Sequence, residues 1–386
     1  MTPLPFSAPL AAYRQQAREL LNAHGFADPD AIQFFHNKHP RFLDEKILWL
    51  PKPIPDSEIQ NATLTIADAR LAIARSYDFQ DWPALSEFAE SVSNPHSEIF
   101  QFESAADAVV NGDAPALKVL IASNPQIVHA RSTRRTHFDP PVHRATLLHY
   151  VAANGVEGHR QKTPMNAVEI ATILLKNGAD PDALANLYGG ECTTMSLLVS
   201  SSHPAAAGVQ SALVDTLVDF GASVEPLGSG TWRSPLMTAL AFSFAAAAGT
   251  LVRRGAQVTN IATAAGLGRL ADATELLPTA DAESRHRALA LAAQLGHADV
   301  VRLLLNAGVD PGRYNPEGLH SHATPLHHAA LAGHEAVVRL LVDRGARLDI
   351  KDTIYNSTPL GWAEHGGQTA VAEYLRALPA PKKVLK

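Results

Sequence analysis

Polar side chains that could bind a ligand or transfer a proton are concentrated between residues 131 and 203. Arginine binds carboxylates and phosphates with two parallel hydrogen bonds, and histidine can act as a base near neutral pH. The candidate catalytic residues are His143, Glu157 and His203. The residues predicted to line a ligand site are Arg131, Arg134, His137, His143, His149, Asn154, Glu157, Arg160, Lys162, Tyr188, Thr194, Ser200 and His203. If these side chains converge, they form a polar pocket for a small anionic ligand.

Simpler explanations for some of these residues stay open. Glu157 and Asp139 could neutralise the arginines as plain ion pairs. Asn154 precedes Gly155, at a turn where a residue that tolerates left-handed backbone is useful. Ser200 begins a run of three serines, and burying an unpaired hydroxyl costs about 1–3 kcal/mol. These hydroxyls should therefore be satisfied locally or face a cavity.

Other chemical signals in the chain are incomplete. Zinc sites need three or four ligands in tetrahedral geometry, and no cysteine lies near the four clustered histidines, which are His320, His322, His327 and His328. Cys192 and His203 could act as nucleophile and base, but a lone cysteine after two glycines is more typical of packing. The chain has no phosphate-binding loop, nucleophile elbow or dinucleotide fingerprint. We predict no metal and no cofactor, and leave enzymatic activity undecided.

The candidate site residues must be positioned by a scaffold, and residues 324–346 show its repeating unit, which is two helices joined by a turn. Thr324 can cap a helix whose first residue is Pro325, Gly333 permits a turn, and Gly345 ends a second helix. Two such helices cannot bury their apolar faces alone, so they need similar neighbours. The stretch Thr-Pro-Leu-His-His-Ala-Ala at 324–330 resembles the Thr-Pro-Leu-His-x-Ala-Ala core of the ankyrin repeat without a mismatch. The resemblance implies that His327, and His149 in the same position, bridge neighbouring turns.

Glycines extend this pattern over much of the chain. Turn glycines are expected at 155, 268, 296, 333 and 366, and helix-ending glycines at 178, 221, 255, 308 and 345. The helix-ending glycines are 43, 34, 53 and 37 residues apart, so the longest gap should hide a degenerate repeat, placed at 261–277. We predict an all-α ankyrin-repeat solenoid of about eight units, some of them degenerate, over residues 103–378. Its hollow side and the long insertions between residues 131 and 208 are the expected binding surfaces.

Residues 1–97 are predicted to form a helical N-terminal module. Helices are expected at 11–24, from 28, at 65–77 and from 82, with a proline-rich connection at 40–60. The patterns at 64–69 and 73–85 resemble the small helical module that precedes ankyrin repeats in many bacterial proteins, although Asp78 stands where that module usually has glycine. The chain therefore resembles a bacterial ankyrin-repeat domain-containing protein. Residues 379–386 are expected to be a flexible tail.

Composition restricts the function classes. The formal net charge is −6, 46% of residues are hydrophobic and Cys192 is the single cysteine. We therefore predict a cytoplasmic protein with no disulfide framework, no nucleic-acid partner and no membrane partner. The favoured function is a binding scaffold that recognises a protein partner through its concave face and insertions. The alternative is an enzyme or small-molecule receptor whose anion-binding pocket is formed between Arg131 and His203.

Overall fold

The computed structural model describes residues 3–378 and divides the chain into two compact units. The first unit runs to Ala222 and includes Gly228–Gly230, and the second contains Ser223–Leu227 and the residues from Thr231 onward. Our boundary between helical module and repeats, at residues 97–103, lies inside the first unit and stays a prediction. The predicted tail, 379–386, lies outside the described residues.

The first unit begins with five helices that share one apolar core. Its buried residues include Tyr13, Phe35, Ile73 and Leu85. The helices are α1 (Leu10–Gly25), α2 (Pro29–Lys38), α3 (Asp56–Gln60), α4 (Ile66–Ser76) and α5 (Trp82–Ser91). The proline-rich connection contains α3, a 3-10 turn at Pro40–Phe42 and an isolated antiparallel bridge between Leu43 and Pro51.

Asp78, the residue at the position where the predicted N-terminal module resemblance expects glycine, has a φ of 62°. Aspartate is one of the few residues besides glycine that adopts left-handed backbone with moderate strain. Its carboxylate also accepts a hydrogen bond from the Gly158 amide at 2.6 Å. Asp78 therefore adopts the backbone turn expected of glycine and also contacts the loop near the second helix pair.

The first three helix pairs complete the first unit. Their helices are α6 (Glu98–Asn111) with α7 (Ala114–Ser123), α8 (Leu147–Val151) with α9 (Ala167–Lys176), and α10 (Thr194–Leu198) with α12 (Gln210–Asp219); a seventh, short helix, α11 (Ser202–Ala206), lies between the two helices of the third pair. A short antiparallel hairpin precedes α10, formed by β1 (Leu184–Leu187) and β2 (Gly190–Thr193), with Leu184 opposite Thr193. Tyr188 and Gly189 have φ values of 54° and 73°, as a tight hairpin turn requires. Tyr188 is therefore held at the hairpin tip. Two further 3-10 turns lie at Pro125–His129 and Gly158–Arg160.

The second unit contains five more pairs. The helices are α13 (Pro235–Ala241), α14 (Ala245–Arg253), α15 (Ile261–Gly266), α16 (Leu270–Leu276), α17 (Ala282–Gln294), α18 (Ala298–Asn306), α19 (Pro325–Leu331), α20 (Glu335–Asp343), α21 (Pro359–His365) and α22 (Thr369–Ala377), with a 3-10 turn at Leu277–Thr279. The degenerate repeat lies where it was predicted, as α15 and α16. Small residues of the first helices, such as Ala329, pack with larger residues of the second helices, such as Leu341. The predicted all-α arrangement of about eight helix pairs is confirmed among the described residues.

One turn differs from its prediction. Gly366, expected to adopt the turn conformation of the last pair, has a φ of −76°, and Gly367 has the positive φ of 67° instead. A side chain on Gly366 would contact the backbone oxygen and side chain of Leu331, so glycine is needed there for close packing. Among residues 3–378, no helix is long and apolar enough to cross a membrane.

Candidate functional site

A buried network of charges lies among α6, α8 and the two insertions that flank α8. Glu103 of α6 accepts hydrogen bonds from Arg134 Nη2 at 3.1 Å and from Arg160 Nη1 at 2.6 Å. Glu157 lies 3.5 Å from Arg134 Nε and 3.6 Å from Arg160 Nη1, measured to its carboxylate oxygens. Arg160 Nε also donates to Asp107 at 2.8 Å. The contacts among these residues are made away from water, because four of the side chains are buried: Glu103, Arg134, Glu157 and Arg160.

Aromatic rings and a histidine surround the same charges. The guanidinium carbon of Arg134 lies 4.2 Å from the centre of the Phe88 ring of α5. Tyr150 of α8 donates its hydroxyl to Glu157 at 3.3 Å, and His143 Nε2 lies 3.4 Å from the same oxygen. The network therefore ties α5, α6, α8 and both insertions to one another.

The charges of this network are stable at neutral pH. Burial alone would raise the pKa of Glu157, but Arg134, His143 and Arg160 hold it well below its usual range. Burial likewise opposes the charge of Arg160, and the carboxylates of Glu103 and Glu157 keep its pKa well above the usual value. A carboxylate that holds its charge so firmly and has no access to solvent is a poor general base. The arrangement of His143 and Glu157 supports a structural role.

A second group of predicted residues meets at the tip of the β1–β2 hairpin. The Tyr188 hydroxyl donates to Asn154 Oδ1 at 2.6 Å, and Asn154 Nδ2 donates to Ser200 Oγ at 2.7 Å. Ser200 in turn donates to the carbonyl of Leu197 at 2.9 Å, and Ser201 donates to the carbonyl of Ala153 at 3.2 Å. These serine hydroxyls are satisfied locally, and the chain of bonds fixes the Tyr188 ring.

Exposed aromatic side chains border a small cavity beside this tip. Phe138 and Tyr188 are 48% and 53% exposed. The cavity has a volume of about 140 Å³ and is lined by Phe138, Asp139, Pro140, Gly155, Val156, Gln161, Asn186, Leu187 and Tyr188. We call Phe138, Tyr188 and this cavity the insertion surface. Its walls are mainly uncharged, so it suits an apolar side chain with a few hydrogen-bonding groups.

The other predicted residues do not join either group. Arg131 Nη1 donates to the backbone oxygens of Arg144 and Leu184 at 2.9 and 2.5 Å. Lys162 donates to Asn111 at 2.6 Å, and His203 lies exposed on α11. The predicted arginines therefore do not converge on a common ligand position.

The last three predicted residues, His149, Thr194 and His137, show no contact that would bind a ligand. His149 contacts Thr146 and, at 3.4 Å, the carbonyl of Cys192 in the following hairpin, which is the bridge implied by the repeat resemblance. Thr194 is buried, and its hydroxyl has no hydrogen-bond partner among the described residues. His137 is half-buried, and burial and Arg75 lower its pKa to about 4.

Sequence reasoning found Glu157 but missed three other residues of the buried network. Glu103, Asp107 and Tyr150 were not among the predicted site residues, although Glu103 binds both buried arginines. One signal was available, because Glu103 follows Phe102 and precedes Ala105 and Ala106 on a helix whose inner face is otherwise apolar. A charged residue in such a position needs a buried partner.

Metal and thiol chemistry receive no geometric support. Among residues 3–378, no three histidine, cysteine or acidic side chains are arranged to hold a metal ion. His327 Nε2 lies 3.1 Å from the carbonyl of Ser357 in the next repeat, as the repeat resemblance implies. Cys192 is buried, and burial raises the pKa of its thiol to about 11. This thiol is therefore protonated at neutral pH.

Comparison with known families agrees with this architecture. The family described as "Ankyrin repeats (3 copies)" matches residues 261–352 and 289–383, and "Ankyrin repeat" matches residues 143–186. These ranges include pairs from both units.

Parts of the chain are also similar to individual proteins. The chain is 35% identical to human cyclin-dependent kinase inhibitor 2A over 122 residues, covering 30% of this chain and 75% of the relative. It is 33% identical to rat cyclin-dependent kinase 4 inhibitor B over 127 residues, covering 32% and 95%. A longer match, to the E3 ubiquitin-protein ligase KEG of Arabidopsis thaliana, is 27% identical over 268 residues and covers 63% of this chain but 15% of that protein.

Proposed function

The chain belongs to the ankyrin-repeat family, and on this premise we propose that it is a binding protein that recognises a protein partner through the insertion surface. Two of its relatives are named as inhibitors of cyclin-dependent kinases, so their targets are proteins. That likeness supports protein binding in general and does not identify a partner. Bacterial origin and a cytoplasmic location stay predictions.

The exposure of Phe138 and Tyr188 on a firmly held frame carries this proposal. Aromatic residues, tyrosine especially, supply much of the energy of protein interfaces because they bury a large area with little loss of conformational freedom. Asn154 fixes the Tyr188 hydroxyl, and the buried charges hold the insertion that contains Phe138. A surface that is ordered before binding loses less entropy when the partner arrives.

The concave face remains part of the proposal. Asn154 follows the short helix α8, and Ser200 follows the short helix α10. A partner on the insertion surface would therefore contact the first helices of two neighbouring pairs. The anion-pocket alternative receives no support, because Arg134 and Arg160 are already paired with Glu103 and Glu157.

Affinity purification with the full chain tests the proposal. The Phe138→Ala/Tyr188→Ala variant should recover at least tenfold less of any specific partner from cells of the source organism, since hot-spot truncations cost more than about 1.4 kcal/mol. Phe26→Ala is the matched control, because Phe26 is 87% exposed and lies elsewhere in the first unit. Equal recovery by the double variant and the control would refute a role for the insertion surface.

A further inference from the structure

The loop between α18 and α19 is longer than the loop of the following repeat. Sixteen positions separate Gly308 from Thr324 in this loop, whereas thirteen separate Gly345 from Thr358 in the next one. The longer loop contacts repeats on both sides of its own. We call residues 314–322, which make these contacts, the strap.

One end of the strap reaches back to earlier pairs of the second unit. His320 Nε2 donates to the carbonyl of Ala241, the last residue of α13, at 3.0 Å, although α13 is three pairs before α19. Arg287 Nη1 of α17 donates to the Glu317 carbonyl at 3.0 Å. Leu319, between these two contacts, is buried. The strap is therefore attached to the unit by an apolar side chain as well as by hydrogen bonds.

Tyr314 holds the other end of the strap. Its hydroxyl donates to the Lys351 carbonyl at 2.6 Å, and its own carbonyl accepts from His286 Nε2 of α17 at 2.8 Å. The Thr353 amide donates to the His322 carbonyl at 2.9 Å. The strap is thus closed over the second unit by contacts with α13, α17 and the loop before α21.

Several polar groups next to the closed strap have no partner. His286 Nδ1 of α17, His328 Nε2 of α19 and both side-chain amide atoms of Asn315 are buried and make no hydrogen bond among residues 3–378. Burial without a partner costs free energy that the same group does not lose in water. The closed position therefore sets the strap's hydrogen bonds against these costs.

Three histidine rings meet where the strap crosses α19. The centre of the His320 ring lies 5.1 Å from that of His328 and 6.0 Å from that of His322. The Trp362 ring of α21 lies 5.2 Å from His328 on its other side. Burial and the neighbouring histidines lower the pKa of His328 to about 3. Burial and His320 also lower the pKa of His322, and Asp352 opposes them only partly.

The elements packed around these rings offer little to compensate a positive charge. Phe242, at the end of α13, contacts the His320 ring, and Gln294 of α17 donates to the same carbonyl as His320, but both are uncharged. His327 of α19 is a further base. The Asp352 carboxylate already accepts hydrogen bonds from four N–H groups. A proton on the cluster is therefore better accommodated when its rings reach water.

We propose that the strap is a pH-dependent switch, closed over the second unit at neutral pH and opened in mild acid by protons on His322 and His328. Opening lets the unpaired groups of Asn315, His286 and His328 reach water. The closed position gains stability from neutral His328 above pH 6.5, the ordinary pKa of histidine, and loses it as the pH falls toward 3. Because the strap lies in the second unit, the switch does not depend on the insertion surface.

Hydrogen exchange of the full chain, followed by mass spectrometry, tests the switch. A histidine with a pKa of about 3 when closed and about 6.5 when open makes opening about tenfold more favourable at pH 5.5 than at pH 7.5. After correction for the intrinsic pH dependence of exchange, the amides of residues 314–323 should therefore lose at least tenfold protection. Unchanged protection would overturn the proposal.

Urea distinguishes opening of the strap from unfolding of the whole unit. Local opening exposes little surface, so 1 M urea should change strap exchange less than twofold at either pH. Exchange of the α20 amides, which requires larger unfolding, should accelerate at least fivefold. Strap exchange that rises with urea in parallel with α20 would contradict a local switch.

Two pairs of matched variants locate the switch. His328→Phe keeps a buried ring that takes no proton and should reduce the pH effect about tenfold, whereas His365→Gln, at an exposed histidine of α21, should retain it. Tyr314→Phe removes the bond to Lys351 and should lower strap protection at pH 7.5 about threefold or more. Tyr355→Phe, whose hydroxyl makes no hydrogen bond within residues 3–378, should not. An undiminished pH effect in His328→Phe, or equal strap protection in the two tyrosine variants, would refute the switch.

Discussion

Replacing Arg160 by methionine should strongly destabilise the first unit. Arg160 now faces Glu103, Glu157 and Asp107, and its removal leaves three carboxylates against the single guanidinium of Arg134. Breaking a buried ion pair by removing one partner costs about 3–5 kcal/mol. Because two of the three carboxylates are buried and lose a close partner together, we expect a loss near the upper limit of about 5 kcal/mol.

Replacing Glu103 by glutamine is the informative comparison. Two carboxylates, Glu157 and Asp107, then remain for the two arginines, so the charges stay balanced. The shape of the side chain is also kept. We therefore expect a smaller loss, at the lower limit of about 3 kcal/mol.

Hydrogen exchange of the α6 amides in increasing urea is the suitable assay. The chain has two compact units, so a single unfolding midpoint for the whole chain does not measure the first unit alone. Lys118→Ala is the control, because Lys118 and Glu169 form an exposed pair at 3.5 Å that is worth at most about 1 kcal/mol. A loss for Arg160→Met no larger than that of the control would refute the reasoning.

Three other outcomes follow from the same structure. Burial and the neighbouring histidines lower the pKa of His328 to about 3. The stability that depends on neutral His328 is therefore complete above pH 6.5, the pKa of an unfolded histidine, and is lost as the pH falls toward 3. The thermal midpoint of the second unit should drop between pH 7.5 and 5, and the drop should be smaller in His328→Phe. Burial of Cys192 should slow its reaction with a disulfide reagent at pH 8 at least tenfold relative to the chain in urea, and an equal rate would contradict its protected state. Asp352→Ala should destabilise the last pair by about 2–4 kcal/mol through four lost acceptor contacts, and hydrogen exchange of α21 unchanged from the parent chain would disprove this.

The repeats were predictable because their determinants are local. Thr324 and His327 form a capping box within one turn, and Gly345 ends the second helix of the same pair with a φ of 89°. Such contacts span only a few residues, so residue types at fixed spacing determine them. The degenerate pair at 261–277 was found for the same reason, through the interval between helix-ending glycines.

The candidate site was only partly predictable because its pairs are distant in sequence. Arg134 and Arg160 lie 31 and 57 residues from Glu103, and composition alone does not determine which carboxylate meets which arginine. The chain of Tyr188, Asn154 and Ser200 depends similarly on the hairpin placing its tip beside two helix ends. The concentration of polar residues drew attention to this region. Because the network is buried, its charged residues contact one another, and their role is structural.

Site-specific photocrosslinking tests most directly whether the insertion surface binds a protein partner. Benzoylphenylalanine would replace Tyr188, Phe138 or, as the control, Phe26 in the full chain. We predict that positions 188 and 138 crosslink to the same partner in cells of the source organism and that position 26 does not. Absence of a crosslink from positions 188 and 138, or an equal yield from position 26, would contradict the account.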